Sequence, residues 1–131
     1  MTFGKVVGPY RRLSPKLIMD PVTVATAIDR EICLGLLSGA TFGRIALNVA
    51  GGPRIVPVRF AVHRGRISAH MQGRVDIGDA LDDAEVALQA DGFDDETQLV
   101  WSVHVVGRVT ARHDSGFAIT PTMIEGEWLA F

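Results

Sequence analysis

The stretch FGRIALNVAGGPRIVPVRFAVH, residues 42–63, decides the fold. Apolar and polar residues alternate on both sides of a glycine pair, Gly51-Gly52. A period of two marks a half-buried strand, and two glycines between such runs read as a tight hairpin turn. Phe42 to Ala50 and Arg54 to His63 are therefore expected as antiparallel partners. Pro57 has no N–H to give to a ladder, so it belongs at an edge or a bulge of the second strand.

Downstream the same period continues. Arg64-Gly65 makes a turn and Arg66 to Met71 a third strand; Gly73 to Leu81 holds a helical turn or two, and Glu85 to Ala90 is a fourth strand. Gly92 to Thr97 reads as an acidic, solvated loop. Leu99 to Arg112 alternates, with Leu99, Trp101, Val103 and Val105 on one face and Ser102, His104 and Arg108 on the other. Ile119 to Ala130 supplies a closing strand. Upstream, Asp20-Pro21 offers a helix start, and Val24, Ile28, Ile32 and Leu36 recur every four residues. That spacing predicts a helix running to about Ser38 and stopping at Gly39. Residues 1–19, interrupted by Gly8-Pro9 and Ser14-Pro15, read as an N-terminal arm, and residues 20–131 as a single domain. Six short strands with capping helices define a mainly β class, an antiparallel barrel.

Length and composition agree with one domain. The chain has 131 residues, 47% hydrophobic and 21% charged, which is enough apolar material for a core. Its formal net charge of -2 is a cancellation between neighbouring blocks. From Ile32 to Val75 there are six arginines (44, 54, 59, 64, 66, 74) and no acid. From Asp76 to Gln98 there are nine acids and no base. The acidic block is expected to face solvent, or to pair with arginines across a dimer. The one cysteine, Cys33, makes no intrachain disulfide and points to packing in a reducing, cytoplasmic setting. No window approaches the roughly 18 apolar residues of a membrane span.

Among candidate chemistries, the arginine block stands out. Arg59, Arg64, Arg66 and Arg74 fall on consecutive strands and the following turn, and could converge on one rim. Guanidinium groups match phosphate with planar, paired donors that stay charged. Gly73, between His70 and Arg74, lets a backbone approach a ligand closely. The plain alternative is a solvated edge whose arginines discourage strand-to-strand aggregation. His63, His70, His104 and His113 lack the helical spacing of a zinc site, and no nucleophile elbow surrounds Ser102, so no metal and no catalytic triad are expected. A nucleic-acid partner would rest on the arginines alone, without the interleaved aromatics of single-strand binders.

Several strings in order resemble one family. They are Glu31-Ile-Cys-Leu-Gly-Leu-Leu37, Gly43-Arg44-Ile-Ala-Leu47, Pro57-Val-Arg-Phe-Ala-Val62, His70-Met-Gln-Gly-Arg74, Ala90-Asp-Gly-Phe-Asp94, Trp101-Ser-Val-His-Val-Val-Gly-Arg108 and Ile119-Thr-Pro-Thr-Met-Ile-Glu-Gly126. Across residues 29 to 126 the chain resembles the pyridoxamine 5'-phosphate oxidase-like, FMN-binding split-barrel family, especially its short actinobacterial members. The resemblance implies a six-stranded split barrel that forms a homodimer with cofactor clefts at the interface. It implies a phosphate segment at His70, Met71, Gln72, Gly73 and Arg74, with Arg66 adding charge, and a flavin ring lying along Val58, Arg59, Phe60 and Ala61. Trp101 and Ser102 would come from the other subunit, with Trp101 walling the ring. The chain departs from the family where Val75 replaces a lysine, where Ala111 to Ala118 leaves no room for a helix, and where the last strand carries Met123, Glu125 and Glu127.

The reading that follows is a flavin-nucleotide-binding protein using FMN or a deazaflavin, an oxidoreductase acting on a small molecule. The alternative is a non-enzymatic binding module on the same scaffold that has lost flavin, or that takes haem or another tetrapyrrole.

Overall fold

The computed structural model describes residues 25–71, 77–113 and 116–130. The expected arm, the Asp20-Pro21 helix start and residues 72–76 of the phosphate segment lie outside the described residues.

Among the described residues, seven strands and one α-helix follow in the order β1 (Ala25–Ile28), α1 (Arg30–Ser38), β2 (Phe42–Val49), β3 (Gly52–His63), β4 (Arg66–His70), a 3-10 turn (Asp79–Leu81), β5 (Glu85–Asp94), β6 (Leu99–His113) and β7 (Gly116–Leu129). Every strand pairing is antiparallel. The order β7-β4-β3-β2-β5-β6 closes on itself because β6 also pairs with β7, and β1 adds to the far half of β7. A ring of six strands is thus the expected barrel. It is split along β7, whose residues 116–119 pair with β4 and whose residues 126–129 pair with β1.

The seventh strand is a correction. Residues 25–28 were expected inside a helix, and they pair instead with Gly126 to Leu129. The stretch Val22-Thr-Val-Ala-Thr-Ala-Ile28 is rich in β-branched residues, which lose side-chain freedom in a helix and pack well on a pleated surface. An open length of β7 was available to receive them, and the helix starts only after Asp29. A period of four across both segments was a coincidence of two elements that bury one core.

Alternation holds in the strands. Ile45, Leu47, Val56, Val58, Phe60, Ile67, Leu88, Val103 and Val105 point into the barrel and are buried. α1 closes one end with Cys33, Leu36 and Leu37. Gly126 makes this close packing possible, since a Cβ there would stand 2.6 Å from Cys33 Sγ. Pro57 sits at a local edge of β3, as expected. Phe60 N donates to Thr41 O at 2.8 Å, so the alternating ladder leaves Pro57 facing away from β2, and pairing with β4 begins only at Arg59.

Two boundaries differ from expectation. The hairpin tip is Ala50-Gly51, one residue early, with Val49 opposite Gly52 and Gly51 at φ 103°. The acidic loop is shorter than expected: Asp91 to Asp94 belong to β5, and Asp94 is fully buried. Its carboxylate accepts from Glu96 N at 3.2 Å and from the Thr97 hydroxyl at 2.9 Å, which closes the β5–β6 turn. A carboxylate used this way satisfies local donors that would otherwise be orphaned in the turn. Between β6 and β7 only residues 114 and 115 intervene, so the chain has no room for a helix there.

Candidate functional site

The sequence alternation of β3, β4 and the start of β7 sorts the expected site residues onto two sides of the barrel wall. Val58, Phe60 and Met71 are buried in the core. Arg59, Arg66 and His70 are exposed on the outer face. Trp101, expected to wall a ring, faces inward opposite Trp128, and both indoles are buried. Period two makes this unavoidable, because Trp101 shares its face with Leu99, Val103 and Val105. Ser102 lies on the outer face, where its hydroxyl accepts from Gln89 Nε2 at 3.1 Å.

The strand registers assemble three rows on the outer face. The first crosses five strands as Phe42, Arg59, His70, Gly116 and His113. Arg59 Cζ stands 5.9 Å from the centroid of the Phe42 ring, and the His70 imidazole rests on Gly116. A Cβ at position 116 would lie 3.0 Å from His70 Nε2, so glycine leaves the space that the ring occupies. The second row is Ala61, Ser68, Ala118 and Ala111, all small. The third is His63 and Arg66, with Thr110 and Thr120 alongside and Arg108 opposite Thr120. Arg66 Nη2 donates to Thr110 Oγ1 at 3.5 Å, and the two threonine hydroxyls are 3.1 Å apart.

No acidic residue stands in these rows. The surface is a flat, small-residue floor with cationic or hydrogen-bonding groups on both sides. Guanidinium and imidazole groups beside small residues can take up an anion and leave the backbone between them accessible. Arg59 and Arg66 do not converge, however. They stand at opposite ends of the β3–β4 ladder, four residues apart, or roughly 13 Å at the rise of a strand. Arg59 and His70, by contrast, are direct cross-strand neighbours, and residues Gln72, Gly73 and Arg74 follow in sequence after Met71 at that same end.

His113, Gly116 and the alanine floor escaped the sequence reading because they depend on register. β6 and β7 shift register twice, between Val106 and Gly107 and between Val109 and Ala111; the shifts cancel, so His113 stands opposite Gly116 in the same register that sets Val100 opposite Leu129. A cleft of about 370 Å³ opens beside the floor, lined by Asp82, Asp83, Val109, Thr110, Ala111 and Arg112.

Part of the acidic block is engaged within the chain by arginines of β6. Arg108 lies 3.6 Å from the Asp83 carboxylate and donates to Asp83 O at 2.8 Å. Arg112 lies 3.3 Å from Asp82 and 3.9 Å from Asp79, and it also donates to Gly78 O. These arginines therefore hold the turn that follows residues 72–76. Among the described residues no group of three His, Cys, Asp or Glu side chains could hold a metal ion. No described helix is long and apolar enough to cross a membrane. Cys33 is buried, and desolvation followed by the nearby Asp29 charge pushes its thiol up to about 11.

A family model described as pyridoxamine 5'-phosphate oxidase matches residues 29–120, well over half of the chain. The chain belongs to the pyridoxamine 5'-phosphate oxidase family. Solved structures share the split-barrel fold. An FAD-binding protein from Mycobacterium smegmatis is 25% identical, with a TM-score of 0.70 over 80% of this chain and 98% of that one. An FAD-binding protein from Mesorhizobium loti is 18% identical, with a TM-score of 0.67 over 82% and 98%. An FAD and haem-binding protein from M. smegmatis is 14% identical, with a TM-score of 0.59 over 81% and 73%. No curated protein matches the chain.

Proposed function

We propose that this chain is a homodimeric flavin-nucleotide-binding protein, an FMN- or deazaflavin-dependent oxidoreductase acting on a small molecule in the cytoplasm. The observation that carries this reading is the acid-free outer row of Arg59, His70 and His113 beside a floor of Ala61, Ser68, Ala118 and Ala111. The FAD-binding relative from M. smegmatis, 25% identical, supports a flavin as the ligand. The lone buried thiol suits a reducing compartment.

In this reading Arg59, His70 and Arg74 hold the phosphate, with Gln72 and Gly73 presenting backbone to it. The ring lies over Ala61, along the backbone of Val58 to Phe60, and Ser102 comes from the second subunit. Bound flavin supplies hydride or electron transfer; the chain supplies binding, orientation and exclusion of water. Arg59 neutralises charge at one end of the floor, and the cleft at Thr110 and Ala111 leaves room for a small substrate at the other.

Titration of the purified protein with FMN, FAD and a deazaflavin nucleotide, read by quenching of flavin fluorescence, tests the reading. Saturable quenching by at least one of them is expected. Failure of all three at high micromolar concentration overturns it, and a Soret band on adding haem would favour the non-enzymatic alternative.

A further inference from the structure

The four histidines divide by their neighbours. His104 lies 3.1 Å from the Glu125 carboxylate, and His63 stands opposite Arg66, whose guanidinium reaches Thr110. His70 and His113 instead flank Gly116 in a row that no acid enters. Among the described residues neither has an ion-pair partner. The His70 ring lies over β7, with Nε2 at 3.0 Å and Cδ2 at 3.1 Å from where a Cβ of residue 116 would stand. Glycine there leaves a gap between two imidazoles whose backbones are two strand spacings apart, roughly 10 Å. The groups beside them are Arg59 on β3, Ser68 on β4, Ala118 on β7 and Ala111 on β6. Beyond β6, Asp79 and Asp82 are engaged by Arg112, the residue before His113. In sequence, Arg74 and Asp76 follow His70, and Asp114 follows His113.

We propose that His70 and His113 clamp the ligand's phosphate across Gly116, and that the flavin nucleotide is taken up together with protons. The proposal rests on the preceding reading and adds to it a binding residue, His113, and a regulation by pH. A phosphate monoester offers three strong acceptor oxygens and is mostly a dianion above pH 7. A neutral imidazole has one N–H to give; an imidazolium has two, and a positive charge. Its bond to phosphate is charge-assisted and about twice as strong as a neutral one. Histidine as a residue type changes charge near pH 6.5, within the physiological range, so a phosphate can draw protons onto both rings at pH 7. By linkage, a ligand that favours the protonated rings binds more tightly as pH falls. Arg59 stays charged throughout and supplies the part of the affinity that pH does not touch. The phosphate's own titration has the opposite sign, since binding as a dianion releases its proton. Net uptake on binding therefore belongs to the protein.

Calorimetric titration of the full chain with FMN, in two buffers of different ionisation enthalpy, counts the protons. At pH 7.5 an uptake of about half to two protons per FMN is expected, and riboflavin, which has no phosphate, should take up none. Across pH 8 to 6.5 the FMN Kd is expected to tighten about threefold or more per pH unit, while the riboflavin Kd stays level. His70→Gln and His113→Gln should each remove part of the uptake, and the double variant should bind FMN with no pH dependence. Unchanged circular dichroism shows that the fold is intact. If the double variant fails to fold, His113→Gln alone decides, since the proposal requires that it lower the proton count. FMN binding without proton uptake, or with the wild-type pH profile kept in the variants, overturns the clamp and leaves the flavin reading standing. No FMN binding anywhere between pH 6.5 and 8 overturns both.

Discussion

Arg59 and His70 stand directly opposite each other on β3 and β4, at the end of the ladder where residues 72–74 follow in sequence. Four residues away, the opposite end of the same ladder pairs His63 with Arg66, whose guanidinium is already engaged with Thr110. The two basic ends are therefore unequal, and in the proposed reading the phosphate takes Arg59, whose guanidinium makes only a ring contact with Phe42 among the described residues.

Arg59→Ala is expected to weaken FMN binding by about ten- to a hundredfold, the effect of losing one charged hydrogen bond. Riboflavin has the same ring and no phosphate, so its affinity should change little. Comparing both ligands by fluorescence titration separates loss of phosphate recognition from damage to the floor. An equal loss for both would place the phosphate elsewhere.

Gly116→Ala introduces a Cβ 3.0 Å from His70 Nε2. Gly116 is buried under the exposed His70 ring, which can swing away, so the expected loss of stability is modest, about 1 kcal/mol. FMN affinity is expected to fall, because the displaced imidazole no longer lies between Arg59 and His113. A thermal melt and a titration on the same sample check both halves.

Much of the barrel was legible because period two survives burial: Val56, Val58 and Phe60 had to share a face, and Arg59 the other. The same rule already placed Trp101 with Val103 and Val105, and so inside the barrel, before any family likeness assigned it to a ligand. What could not be read was register. Between the His113–Gly116 pair and the rest of the β6–β7 ladder lie two register shifts that cancel, at Val106/Gly107 and at Val109/Ala111, and no local pattern announces a bulge. Nor could residues 25–28 be told from helix, because their strand depends on an open length of β7 that is distant in sequence. Arg108 and Arg112 looked like ordinary strand charges until the fold set them beside Asp79, Asp82 and Asp83.

Cys33 makes a pH prediction whose sign is fixed by burial. Its thiol pKa rises from 9.0 to about 11 in the folded chain, because desolvation favours the neutral form. A group raised in the folded state contributes its stability fully below the unfolded value and loses it as pH climbs through the folded value. Stability is expected to decline between pH 9 and 11 by an amount that Cys33→Ala removes. Urea melts of the two proteins across that range check it, and iodoacetamide should leave the native thiol unmodified at pH 8.

Gly126→Ala is expected to cost about 1–3 kcal/mol, the usual penalty of overpacking a filled core. The new methyl would stand 2.6 Å from Cys33 Sγ and 3.0 Å from Val103 Cγ2. Cys33→Ala removes the first clash and leaves the second, so the double variant should recover part of the loss. Denaturant melts of the four proteins give the coupling energy, and strict additivity would show that sulfur and glycine are not in contact.

Arg112 joins β6 to the acidic turn by ion pairs to Asp79 and Asp82 and by a hydrogen bond to Gly78 O. The acids are largely exposed, so each pair contributes little to global stability, at most about 1 kcal/mol. The effect is local instead. The turn's own hydrogen bonds are few: Leu81 N to Gly78 O at 3.1 Å, Asp82 N to Asp79 O at 3.2 Å and Ala84 N to Leu81 O at 3.2 Å. With Arg112→Ala those three amides are expected to exchange hydrogen several-fold faster while the β5 and β6 amides keep their protection, since local opening draws on the weakest links. In the same variant FMN affinity should drop with riboflavin affinity unchanged, because the turn follows directly on residues 72–76, which hold the phosphate in the proposed reading. Faster exchange without any effect on FMN would separate this anchor from the phosphate segment.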